Sequence, residues 1–100
     1  LNYRSSATFL GVSTAAAQDR AKRAMVAEGF SGIRHDRGVG ALTAVQETSG
    51  SGRPQTLRVT VRKAGAGSRV DAVFMVQVGQ VAPEGAVRGA ICRILDSVGG

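Results

Sequence analysis

Residues 55–63 read QTLRVTVRK, and residues 69–78 read RVDAVFMVQV. In the first segment Leu57, Val59 and Val61 alternate with Thr56, Arg58, Thr60 and Arg62. Side chains of a strand point to opposite faces in turn, so this is a strand with one apolar and one wet face. Strands of that kind belong to antiparallel sheets. In the second segment Val70, Ala72, Phe74, Val76 and Val78 share the inner face, opposite Asp71, Val73, Met75 and Gln77. The run Ala64-Gly65-Ala66-Gly67-Ser68 turns the chain between them. The rest of the chain must then cover the apolar face of this hairpin.

Downstream, Pro83 suits the first turn of a helix and Glu84 the positive end of its dipole. Val87, Ile91, Ile94, Leu95 and Val98 follow at helical spacing. Upstream, SGIRHDRGVGALTAVQE splits at the turn Asp36–Gly40 into strands near 31–36 and 41–47. The loop Thr48–Pro54 joins the second of these to residues 55–63. Before them lies TAAAQDRAKRAMVAEG, capped by Ser13 or Thr14 and ended by Gly29. Its buried stripe is Ala17, Ala21, Ala24 and Met25, with Phe30 placed to fold back on Met25. A strand within SSATFLGVS, residues 5–13, opens the chain.

The expected fold is therefore α+β, a two-layer sandwich of order β-α-β-β-β-β-α in one domain spanning residues 1–100. Both helices lie on one face of an antiparallel sheet. The chain has 100 residues, enough for a single core. That core is thin, because the apolar 43% is dominated by Ala and Val with only three Phe.

Composition narrows the chemistry. One Cys excludes an internal disulfide framework, and one His excludes a multi-histidine metal site. No stretch approaches the ~18 apolar residues of a membrane-spanning helix. His35 and Asp36 are adjacent in a strand and point to opposite faces, so His35 reads as a surface residue beside a turn. Cys92 falls at the boundary of the second helix's apolar stripe and reads as a partly buried, inert thiol. The carboxylates are scattered; Glu28 and Glu84 read as helix-terminal, and Asp71 as a cross-strand partner of Arg58 or Arg62. Gly38-Val39-Gly40 opens a strand, so it lacks the helix N-terminus that a phosphate loop uses. These readings point to no catalytic residue, no cofactor and no metal, and hence to a protein that is not an enzyme.

The net charge is +6. Arg58 and Arg62 share the wet sheet face with Thr56 and Thr60, and Arg34 or Arg37 can lie nearby. That face carries no aromatic ring for stacking bases, with Tyr3 read as terminal, so cations alone make half of a nucleic-acid pattern.

The order strand-helix-four strands-helix resembles that of the TATA-binding-protein-like, or helix-grip, sandwiches. AKRAMVAEGF, RGVGALTAV, LRVTVRKAGAGSRVDAVFMV and GAVRGAICRIL together resemble small bacterial envelope lipoprotein domains. They are similar to domains of the lipoprotein subunit of the outer-membrane β-barrel assembly machinery. The resemblance runs from about Ala7 to Val98 and brings no catalytic residues with it. It implies a periplasmic or outer-membrane-associated protein, anchored through a segment upstream of Leu1, and a cytoplasmic one if no export signal lies there.

The expectation is a non-enzymatic envelope binding or scaffolding domain. Its partner is an envelope protein or a second copy of itself, met through Arg58, Thr60, Arg62, Val73 and Met75. Two alternatives stand beside it: a cytoplasmic domain that binds nucleic acid by the same basic face, and a carrier of a small apolar ligand between helix and sheet.

Overall fold

A computed structural model of the protein describes residues 2–47, 54–76 and 84–100. The elements run β1 (Asn2–Leu10), α1 (Thr14–Ala27), β2 (Ser31–Asp36), β3 (Ala41–Glu47), β4 (Pro54–Ala64), β5 (Gly67–Met75) and α2 (Glu84–Val98). All strands join one antiparallel sheet of order β1-β5-β4-β3-β2. The α+β architecture and the element order are those the sequence implies. Pro83, Gln77, Val78 and the loop 48–53 lie outside the described residues.

Local chemistry sets the element ends. The Ala16 amide donates to Ser13 Oγ at 3.1 Å, the N-cap bond of α1. At the other end Gly29 adopts φ +90°. Its amide donates to the Val26 carbonyl, and that of Phe30 to the Met25 carbonyl, each at 3.0 Å. That pair of bonds is a Schellman cap, and it buries Phe30 in the same core as Met25. The β4–β5 turn is tighter than the five residues expected: Ala64 already pairs with Gly67, leaving Gly65-Ala66 as a two-residue loop. Gly65 takes φ +56°, as such hairpin turns require.

Both helices cover one face of the sheet. Leu57, Val59 and Val61 of β4 meet Val70, Ala72, Phe74 and Val76, and the stripe Val87, Ile91, Ile94, Leu95 and Val98 packs onto them. Ala17, Ala21 and Ala24 let α1 lie close to β3 and β4, where Leu42, Ala44, Leu57 and Val59 are solvent-free. Phe30 and Phe74 meet edge to face at 6.0 Å between ring centroids.

The first strand departs from expectation. It begins at Asn2 rather than near Ser5 and stops at Leu10, since Gly11 turns the chain at φ +77°. Tyr3, read as terminal, is buried in the core, and the Arg88 guanidinium sits 5.6 Å from its ring centroid. Alternating Tyr3, Ser5, Ala7 and Phe9 form the inner side of β1, but two of the four are too small to mark a strand in sequence.

Two expected outcomes follow from the packing. Leu95→Ala should cost about 2–5 kcal/mol in chemical denaturation, because Leu95 is only 6% exposed; a loss below ~0.5 kcal/mol would contradict the helix face. Gly65→Ala meets open space and should cost only the ~1–2 kcal/mol of a positive φ. Gly40→Ala shares that conformation, but its Cβ runs into the Val61 carbonyl, so it should be clearly the more destabilising of the two.

Candidate functional site

Strand register places a set of side chains on the sheet face that neither helix covers. One rung across the sheet reads Arg4, Val73, Arg58, Thr43, Arg34. The rung beside it on one side reads Asn2, Met75, Thr56, Val45, and on the other Ser6, Asp71, Thr60, Ala41, Asp36. Beyond the latter, Thr8, Arg69 and Arg62 lie side by side. Neighbouring strands are ~4.8 Å apart, so Arg58 stands ~10 Å from Arg4 on one side and ~10 Å from Arg34 on the other along their rung. Arg58 and Arg62 are separated by ~13 Å along β4.

These side chains enclose a shallow trough of ≈ 660 Å³, lined by Arg4, Ser6, Arg58, Thr60, Arg69, Asp71, Val73 and Met75 among others. Four of the five residues expected from the sequence, Arg58, Thr60, Val73 and Met75, thus share its wall. Arg62 projects from the same face but lies outside the trough's lining.

Arg4 and Arg69 join them in the trough, and Arg34 stands on the same face outside it. Arg4 was missed because β1 reaches further towards the chain start than its composition suggests. Arg69 opens the strand read from sequence and shares the face of Asp71, Val73 and Met75, but was not named with them. Arg34 was one of two candidates, and the structure selects it; Arg37 instead pairs with Asp19 at 3.1 Å on the helical side.

Asp71 corrects another expectation. It pairs with Arg69 at 3.2 Å along its own strand, and not with Arg58 or Arg62. The reason is register: the cross-strand neighbours of Asp71 are Ser6 and Thr60, while Arg69, two residues away, projects from the same side. Arg69 also donates to Ser6 Oγ at 3.2 Å, which fixes its guanidinium over the β1–β5 pair.

On the covered face, His35 is not the free surface residue expected. It is half-buried, and its Nε2 lies 2.8 Å from Oε1 of the buried Gln18, where the N–H donates. Nδ1 is buried without a partner. Burial first, then the positive charges of Arg37 and Lys22, push the imidazole pKa below its ordinary 6.5. A second proton on Nδ1 would have no acceptor, in keeping with that direction. Cys92 is likewise corrected: it is exposed, on the α2 flank that faces β1. Among the described residues no cluster of His, Cys, Asp and Glu could hold a metal ion.

A hollow of only ≈ 90 Å³ opens between β1 and α2, lined by Tyr3, Arg4, Ser5, Arg88, Ile91 and Cys92.

No family model matches this chain, and no curated protein does. Among solved structures, that of Ara h 8.0201 aligns with a TM-score of 0.48 and 12% identity, covering 100% of this chain and 95% of that one. A likeness of that degree carries no inference about function.

The imidazole gives a signed expectation. The unfolded chain takes up a proton at its ordinary 6.5, before the folded one does. Stability is therefore complete above that pH and falls as pH drops below it. Thermal midpoints measured against pH should show this slope, and His35→Gln should flatten it. An NMR titration placing the His35 midpoint above 6.5 would reverse the assignment.

Proposed function

We propose that the chain is a non-enzymatic binding module whose uncovered sheet face docks an acidic protein surface. The observation that supports this is the grouping of Arg4, Arg34, Arg58, Arg62 and Arg69 on one open face, beside Val73 and Met75. Arginine and methionine are enriched where proteins meet, and a cationic field speeds the encounter with an acidic partner. The arginines are divided between two rungs of the face rather than closing round one point. A face so positive repels a second copy laid face to face on it, so the open face takes a different molecule.

Location in the cell envelope rests on the resemblance to lipoprotein domains alone. A signal peptide ending in a lipid-bearing Cys upstream of Leu1 would support it. For the carrier reading, the described residues offer the ≈ 90 Å³ hollow beside Tyr3 and Ile91, and a ligand larger than a few heavy atoms there would have to displace α2.

The nucleic-acid reading gains from the three further arginines, and salt separates it from ours. The experiment titrates an acidic amphipathic peptide, duplex DNA and single-stranded DNA at two salt concentrations. Met75→Asp should weaken peptide binding more than Arg58→Ala does, since it removes apolar contact and adds a repelling charge. If Arg58→Ala abolishes binding, Met75→Ala leaves it intact, and DNA affinity collapses from ~50 to ~200 mM salt, the phosphate-binding reading replaces ours.

A further inference from the structure

The two edges of the sheet differ. β2 is short, is broken by a register shift between Ser31 and Arg34, and passes through Gly32 at φ +59°. It also carries Arg34, His35 and Asp36 in succession. Short length, a bulge and charge are the devices that keep an edge strand from pairing with another chain. β1 has none of them except one charge. Its nine residues pair with β5 in unbroken register, with no Pro or Lys, and Arg4 is its only charged residue. Among the described residues no strand pairs with β1 on its outer side.

From this contrast we infer that β1 pairs antiparallel with β1 of a second copy, about a two-fold axis at Ser6, making one continuous sheet of ten strands. The strand's own sequence selects that occupant and that register. Residues directly opposite in an antiparallel pair share a face. Keeping the helices of both copies on the same side requires the axis to pass through a residue pair, and the axis at Ser6 is the one that uses all of Asn2–Leu10. It sets Tyr3 against the second copy's Phe9, an aromatic cross-strand pair on the helical face, and does so twice.

On the open face the same axis sets Arg4 against Thr8, so no like charges meet. Half-buried Phe9 gains a neighbour, as does Leu10, which is 84% exposed in the single chain. The hollow between β1 and α2 opens at this edge, where Arg88 and Cys92 line it. The pairing uses the sheet's edge and stands whatever the open face binds.

Sedimentation under reducing conditions tests it. The expected result is a reversible monomer–dimer equilibrium in the micromolar range. Thr8→Lys puts two like-charge pairs across the axis and should leave a monomer. Adding Arg4→Glu to Thr8→Lys makes both pairs attractive and should restore the dimer, which no other mode of association predicts. Thr8 is exposed, so circular dichroism should show all variants folded. A single 10.3 kDa species up to ~0.5 mM, a dimer indifferent to Thr8→Lys, or a double variant that stays monomeric overturns the inference.

Discussion

One-sided burial is the constraint on which the rest of this structure depends. Two helices and five strands share a single apolar interlayer, and its depth is set by alanine. Ala17, Ala21 and Ala24 on α1 face Ala44 and other buried side chains of the sheet, so α1 approaches closely and few bulky fillers are needed. Deeper side chains are kept for α2, whose Ile91, Ile94 and Leu95 cover β1 and β5. With both described helices committed to one side, the other side of the sheet stays uncovered among the described residues. The cations gathered there follow from the alternation that makes the inner face apolar.

Much of this was legible in sequence because alternation and capping are local signals. QTLRVTVRK carries both faces of β4 in nine letters, and the step from Gly29 to Phe30 announces the end of α1. The apolar stripe of α2 is equally plain. What escaped detection depends on contacts between distant segments. β1 reads weakly because Ser5 and Ala7 face inward where larger side chains would mark a strand. Only its pairing with β5 brings Arg4 to the open face and Tyr3 into the core. The partner of Asp71 was misassigned for the same reason, since register decides which groups stand opposite.

His35 shows the limit from another direction. Its neighbours in sequence are Arg34 and Asp36, both exposed, and they suggest a solvated turn. The group that defines it is Gln18, seventeen residues away on α1. A polar contact of this kind has no periodicity, so no pattern in the chain foretells it. The same holds for Arg93, whose guanidinium grips both carboxylate oxygens of Glu28 at 3.0 Å and ties the two helices together.

The order β1-β5-β4-β3-β2 also has a consequence in time. Strands β2 to β5 form a meander in which each pairs with its successor, so their contacts are close along the chain. β1 has no such neighbour: Asn2 finds its partner at Met75. Closing so long a loop is entropically slow, and the pairing cannot begin until β5 exists. On a ribosome, the strand that emerges first must therefore wait for the one that completes the meander. Until then α2 has no finished floor to settle on, and the segment Asn2–Leu10 is the part of the domain longest exposed to other chains.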